Sequence, residues 1–332
     1  MRLAAFRRAA DPEETRRVGL VVGDASTDPA GWWLHPFPPG SDLVTLLALP
    51  AADREAAADA VASVDGLPLA EAVLLPPVEP VSMRDFLTFE AHVDGMERGH
   101  GNPGPPPEFY DSPVFCFMAT HAVTGPFDEV AMPPDTERLD FELEIAALVV
   151  RDVADGSLEE ARAAIGGYCV MNDWSARDVQ AKEMRLKLGP SKGKDFATTI
   201  GPWIVTPDEL ASCVDADGFL DLEMSVRVNG ELVGRDRSGN MGWTFEQLVS
   251  HSSRGSLVRA GEVLGSGTCS SGSLAEAWGR TGELVPPPLQ VGDVVELTIE
   301  RLGTVRNVVG PRRPSVAPVG GPRRRTASEV PA

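Results

Sequence analysis

The sequence predicts an α+β protein that is mostly β, and three observations carry that expectation. The stretch ERLDFELEIAALVV, Glu137 to Val150, alternates Phe141, Leu143 and Ile145 against Asp140, Glu142 and Glu144, the period-2 pattern of a strand. Two further segments read as hairpins: SVRVNGELVGR turns at Asn229-Gly230, and VVELTIERLGTVRNVV pairs two runs across a short turn. Helix signals are fewer, the clearest being capping boxes at Ser157/Glu160 and Thr244/Gln247.

Composition bounds the class. A chain of 332 residues, 42% hydrophobic and 24% charged, can bury a sizeable core as one large domain or two unequal ones. Its formal charge of −19 sets a repulsive field against nucleic acid or an anionic membrane. No apolar run approaches the roughly 18 residues of a membrane span, and the N-terminus lacks a signal-peptide pattern. Cys116, Cys169, Cys213 and Cys269 are widely spaced, without a CxxC or Cys/His cluster. Neither a disulfide framework nor a zinc site follows, and a reducing cytoplasm is expected.

Along the chain, residues 18–34 read as a small hairpin and Asp53 to Val64 as an Ala-rich helix. LLPPVEPVS, Leu74 to Ser82, holds three prolines that disfavour helix and central strand alike. The expected organisation is therefore a small N-terminal α+β domain over 1–75, a Pro-rich linker over 76–82 and a main domain over 83–310. Residues 311–332, rich in Arg, Pro and Gly, read as a disordered tail in which RRRTAS is a weak basophilic kinase motif.

Ser82 and Asp85 look like the N-terminal cap of a helix whose apolar stripe is Phe86, Phe89 and Val93. Asp85 and His92 lie off that stripe, nearly two turns apart, and point the same way; a lone helical histidine is more often structural. After the Ser157 box comes a strand, Tyr168 to Met171, ending at Asn172 and Asp173. Asp173, Arg177 and Gln180 then share one helix face, and the plain alternative is an N-cap aspartate paired with an exposed arginine. LGPSKGKDFATTIGPWIV lacks the spacing of a phosphate loop, and GSGTCSSG follows no βαβ pattern.

The acids of the Glu137–Val150 stretch pose the main question. Carboxylates at i and i+2 share a strand face, so they either turn to water or, facing inward, protonate or share a cation.

Taken in order, RDFLTFEAHV, DFELEIAALV, MNDWSARDVQ, GKDFATTIGPWIV and GSGTCSSGSLAEAW resemble the fumarylacetoacetate hydrolase family over about residues 83–310. The resemblance implies a β-roll of mixed sheets, usually dimeric, with a divalent cation held by carboxylates at the bottom of an open pocket. It makes Glu142, Glu144 and Asp173 metal ligands, with Asp85 a further acid, and leaves Asp140 to solvent. It sets Lys194 and Thr198 beside the metal, gives Arg177 and Gln180 the orienting of substrate, and puts Thr268 in the substrate pocket. An all-oxygen shell suits Mg²⁺, Ca²⁺ or Mn²⁺ rather than zinc. His92 and Glu276 take the places of a dyad that draws a proton from water, and Lys194 that of a holder of the developing oxyanion. The chain departs from the pattern where Phe115 or Cys116 replaces a substrate-contacting tyrosine. Arg98 is the candidate for an arginine expected after the histidine, and the loop from Thr268 to Glu276 is shorter.

The expected activity is metal-dependent hydrolysis of a C–C bond in a 1,3-dicarbonyl acid such as an acylpyruvate. A decarboxylase or keto–enol tautomerase is the alternative, and a non-catalytic metal- and ligand-binding module the third reading. Expected partners are a small keto-acid substrate and a second copy of the chain, with no nucleic acid and no membrane.

Overall fold

Both faces of the Leu143–Val149 strand are buried, so its acids do not turn to water as on an exposed edge. Ile145, Ala147 and Val149 enter one hydrophobic core, while Ala146, Leu148 and Val150 enter another. With a side-chain period of two, this strand separates two cores, one on each face of its sheet. The computed structural model describes residues 1–23, 31–99, 101–316 and 319–321.

That sheet has 12 strands. Its path runs Leu67–Pro68, Trp33–Pro36, Arg17–Val22, Arg2–Arg8, Thr198–Val205, Ile165–Asp173, Leu143–Val149, Val263–Gly265, Met83–Phe86 and Phe115–Phe117. Ala72–Leu74 pairs with Arg2–Arg8, and Val123–Thr124 with Thr198–Val205. A second sheet of five strands holds Glu231–Arg237, Glu223–Val228, Val294–Ile299, Gly303–Gly310 and Glu129–Ala131. The sheets are mixed: Val263–Gly265 runs parallel to Met83–Phe86, and Gly303–Gly310 parallel to Glu129–Ala131. Both hairpins form, the first turning through Asn229 and Gly230 at φ of 53° and 83°, the left-handed pair that Asn-Gly supplies cheaply. The capping boxes at Ser157 and Thr244 also form, opening the helices Leu158–Ala164 and Phe245–Ser253.

Several expectations change. Residues 83–86 are a strand, not the first turn of a helix, because Met83–Phe86 fits between Val263–Gly265 and Phe115–Phe117; the helix begins later, at Glu90–Gly99. Sheet pairing overrides the local capping signal. The Pro-rich stretch 76–82 does not interrupt the architecture, since Arg2–Arg8 pairs with Thr198–Val205 and one sheet runs through both parts of the chain. Of the N-terminal hairpin, Arg17–Val22 pairs with Trp33–Pro36, while residues 24–30 lie outside the described residues.

The tail is anchored at its start. Arg312 Nη1 donates to the carbonyls of Pro133, Pro134 and Thr136 at 3.1, 3.1 and 2.6 Å, and Arg313 N donates to Met132 O at 2.9 Å. Carbonyls on a proline-rich turn have few backbone donors nearby, and the guanidinium supplies them. Residues 317–318 and 322–332, including RRRTAS, lie outside the described residues.

Candidate functional site

Strand order and side-chain alternation build the site. On one face of five neighbouring strands, Met83, Val263, Ala146, Met171 and Ile200 lie in the same hydrophobic core. Two residues along each strand, that face carries Asp85, Gly265, Glu144, Asp173 and Thr198. An apolar floor thus ends in a polar row. Register holds the row together, with Gly265 opposite Asp85 and Asp173 opposite Thr198. Glu142, two residues before Glu144, joins it through the Asp173 N–H donating to Glu142 O at 3.2 Å.

Asp85, Glu142, Glu144 and Asp173 each offer a carboxylate oxygen, and these four lie within 4.8 Å of one another. Asp85 Oδ1, Glu144 Oε1 and Asp173 Oδ1 are buried without a hydrogen-bond partner. Converging acids with lone pairs unspent are the donor set of a hard divalent cation, so the residues fit one. Glycine makes the room: a Cβ on Gly265 would stand 2.6 Å from Glu144 Oε2, and Gly267 N–H donates to that oxygen at 3.0 Å.

The charges divide the cluster. Burial lifts Asp85 to about 6, against the pull of Lys194, and pushes Glu144 and Asp173 well above the usual carboxylate range. Burial would raise Glu142 too, but Arg177 and Lys194 hold its carboxyl far below that range. Lys194 Nζ contacts both Glu142 and Asp173, and these acids keep it protonated despite its burial. Its loop is set by Glu183, which accepts from the N–H groups of Ser191, Lys192 and Gly193 at 2.8, 2.7 and 3.1 Å.

Asp140 is not left to solvent, and Arg177 joins it to the acid cluster. Asp140 is fully buried; it accepts from Arg177 Nε at 2.8 Å and from the N–H groups of Leu274 and Ala275 at 2.9 and 3.0 Å. The strand breaks between Leu139–Asp140 and Leu143–Val149, so Asp140 leaves the row of Glu142 and Glu144 and turns to Arg177 and a helix start rather than to solvent. Arg177 Nη1 meets Glu142 Oε1 at 2.8 Å and donates to Gln180 Oε1 at 3.1 Å. Asp173 ends its strand and is not a helix cap, since the helix Arg177–Met184 starts from Ala176 without a side-chain cap.

On the other side, His92 Nδ1 lies 3.0 Å from Glu276 Oε2, and both residues are buried. A carboxylate only accepts, so Nδ1 carries a proton, and in the neutral imidazole Nε2 is the nitrogen with a free lone pair. Glu276 also accepts from Ser271 N–H at 2.7 Å and pairs with Arg280 at 2.6 Å. The helices Glu90–Gly99 and Leu274–Thr281 meet through glycines: a Cβ on Gly279 would fall 2.5 Å from Gly95 O, and one on Gly95 would fall 2.6 Å from Glu276 Cγ. That approach brings histidine to glutamate. His92 is near enough to Asp85 and Glu142 to act on the charge of both.

The remaining candidates are placed as follows. Thr268 is buried and follows Gly267 beside Glu144. Cys116 pairs opposite Asp85, with Sγ 3.9 Å from Oδ2, while Phe115 packs on Phe86. Arg98 is exposed and bound to Asp94 on its own helix, away from this cluster of contacts. The contacts of Asp140 escaped the sequence reading, as did Glu183, Gly95, Gly265 and Gly279 altogether.

The description of the fumarylacetoacetate hydrolase C-terminal domain matches residues 82–310. The chain belongs to the fumarylacetoacetate hydrolase family. Among curated members, 2,4-didehydro-3-deoxy-L-rhamnonate hydrolase of Sphingomonas sp. (strain SKA58) is 32% identical over 59% of this chain and 65% of its own length. Fumarylacetoacetase of Rattus norvegicus is 37% identical over 45% of this chain and 41% of its own. Mitochondrial oxaloacetate tautomerase of Homo sapiens is 29% identical over 59% of each chain. The chain spans under two thirds of the length of these three relatives. The crystal structure of maleylpyruvate hydrolase from Sphingobium sp. SYK-6 with manganese(II) and pyruvate superimposes with a TM-score of 0.67 at 20% identity, covering 94% of this chain and 100% of that one. The fold is therefore the family's, and the family contains hydrolases, isomerases and tautomerases. No helix among the described residues is long and apolar enough to cross a membrane.

Proposed function

We propose that the protein is a divalent-cation-dependent hydrolase that cleaves a C–C bond in a 1,3-dicarbonyl acid. The observation that carries this reading is the buried His92–Glu276 pair, 3.0 Å apart, beside four converging carboxylates. A cation at Asp85, Glu142, Glu144 and Asp173 would polarise a ketone oxygen and balance the charge of the departing carbon. Mg²⁺, Mn²⁺ and Ca²⁺ suit the all-oxygen donors.

The chain's own groups supply the proton chemistry. His92 Nε2 takes a proton from water, and Glu276 stabilises the imidazolium through Nδ1. Hydroxide adds to the ketone carbon, and the bond to the central carbon breaks with its electron pair leaving as an enolate. The imidazolium then returns its proton to that carbon, giving a carboxylic acid and a shorter keto acid. Lys194, held protonated, offers a hydrogen-bond donor to the oxyanion, while Arg177 fixes the carboxylate of Glu142. Thr198, Gln180 and Thr268 are assigned to the surroundings of metal and substrate.

A keto–enol tautomerase or decarboxylase is the second reading, supported by the tautomerase and isomerase names among the relatives. The test is an acylpyruvate panel with Mg²⁺, Mn²⁺ or EDTA, followed by enol absorbance and product analysis. Metal-dependent release of two acids is expected. Release of CO₂, or enol loss without cleavage, would replace hydrolysis by the second reading.

A further inference from the structure

The carboxylate of Glu276 is 1% exposed, and both of its oxygens are held. Oε2 accepts from His92 Nδ1 at 3.0 Å and from Ser271 N–H at 2.7 Å. Oε1 meets Arg280 Nη2 at 2.6 Å, with Ser270 Oγ at 3.4 Å. The last torsion of a glutamate is broad and two-fold, so contacts to a single oxygen leave the carboxylate plane loosely set. A charged donor on the opposite oxygen fixes it.

Arg280 stands in the last turn of the Leu274–Thr281 helix, four residues after Glu276. An i, i+4 pair between two exposed side chains contributes little. Here the guanidinium is half exposed while its carboxylate is buried, and a buried carboxylate needs both a counter-charge and donors for its lone pairs. The same Nη2 donates to Ala91 O at 3.2 Å. Ala91 precedes His92 on the Glu90–Gly99 helix, so one nitrogen joins the acid to the backbone that carries the base. Gly95 leaves the room, since a Cβ there would stand 3.1 Å from Arg280 Nε.

We propose that Arg280 is a positioning residue of the His92–Glu276 pair: it locks the carboxylate plane and the spacing of the two helices, and so keeps the imidazole in the tautomer protonated at Nδ1. The proposal rests on the hydrolase reading only for what that tautomer does in turnover, which is to take a proton from water at Nε2. Without the guanidinium, Glu276 is free to turn. The ring then divides between its two tautomers, and fewer molecules present Nε2 as a base.

Two readouts test this in the full chain, one of them independent of turnover. Ring ¹⁵N NMR in mildly alkaline buffer, with His92 assigned by its loss in His92→Ala, reports which nitrogen carries the proton. The wild type should show Nδ1–H for His92, and Arg280→Gln a mixture of both tautomers. With Mg²⁺ and an acylpyruvate, Arg280→Ala should lose about 10- to 10²-fold in kcat while KM stays within about twofold, as for a misdirected base with its substrate contacts intact. Because Arg280 is half exposed, added guanidinium can enter the gap left in Arg280→Ala and should restore most of the lost rate. A rate lost to loosening of the fold would instead fall further, since guanidinium weakens apolar packing. Identical His92 spectra in wild type and Arg280→Gln, a kcat in Arg280→Ala within about twofold of wild type, or a loss that guanidinium does not reverse would overturn the proposal. A wild type that cleaves no acylpyruvate removes the hydrolase reading, and the ring spectra then decide alone.

Discussion

Asp140 and Arg177 tie the carboxylate cluster to the helix that carries Glu276. Arg177 Nε donates to Asp140 Oδ2 at 2.8 Å, while the same carboxylate accepts the first two N–H groups of the Leu274–Thr281 helix. Glu276 is the third residue of that helix. The contacts run unbroken from Glu142 through Arg177 and Asp140 to the helix start, where a negative charge also suits the dipole.

Asp140→Asn keeps the shape and removes the charge. The expected loss of unfolding free energy is about 3 kcal/mol, at the low end for a broken buried pair because Glu142 still holds the guanidinium. Urea unfolding measures it; a change within about 0.5 kcal/mol of zero would show that the pair does not bear on stability.

Glu142→Gln bears on the metal. Glu142 is the acid of the cluster most firmly held ionised, by Arg177 and Lys194. Its neutral amide should lower Mg²⁺ affinity by at least tenfold while the protein stays folded, since metal binding needs deprotonated ligands and repulsion among the acids is relieved. Isothermal titration of wild type and variant decides it, and equal affinities would remove Glu142 from the ligand set.

The sequence made parts of this arrangement legible and hid others for definite reasons. Glu142 and Glu144 stood out by their i, i+2 spacing and Asp173 by ending a strand, the resemblance joined them into one set, and hairpin and capping-box signals are local. Asp85 was found by resemblance but put on the wrong element, since its strand exists only through pairing with Val263–Gly265 and Phe115–Phe117. Asp140 was left to solvent because the resemblance gave it no place among the ligands, and nothing local reveals that a helix N-terminus arrives 134 residues later in the chain to meet it. Gly95 and Gly279 become informative only once their helices face each other.

Those glycines give the next prediction. Gly279→Ala places a methyl 2.5 Å from Gly95 O, a backbone atom that cannot swing away, so the two helices must separate. The expected cost is about 1–3 kcal/mol of stability, with turnover reduced because His92 and Glu276 part, and Mg²⁺ affinity retained. Thermal denaturation together with kcat tests this, and wild-type values for both would mean that the crossing yields.

The start of the tail yields a stability prediction. Arg312 satisfies three carbonyls around Pro133 to Thr136, so truncation after Gly310 should destabilise the protein by about 1–3 kcal/mol, whereas truncation after Val316 should leave it unchanged. Equal melting temperatures for the two truncations would show that those contacts contribute nothing measurable.

The decisive prediction concerns the dyad itself. Glu276→Gln keeps the metal ligands, the pocket and the size of the side chain, but its amide cannot stabilise an imidazolium through Nδ1. His92→Ala removes the base. If these residues activate water, kcat should fall by about 10²- to 10⁴-fold in each, with KM changed little because ground-state contacts remain. The double variant should be scarcely worse than either single one, since the two act as a unit. Glu276 also accepts from Ser271 and Arg280, so a purely structural role would reduce stability in Glu276→Gln without that coupling to His92→Ala. Saturating Mg²⁺ and a cleavable β-diketo acid, with acid release for kcat and unfolding measured in parallel, separate the two. Wild-type cleavage in both single variants would remove His92 and Glu276 from the activation of water.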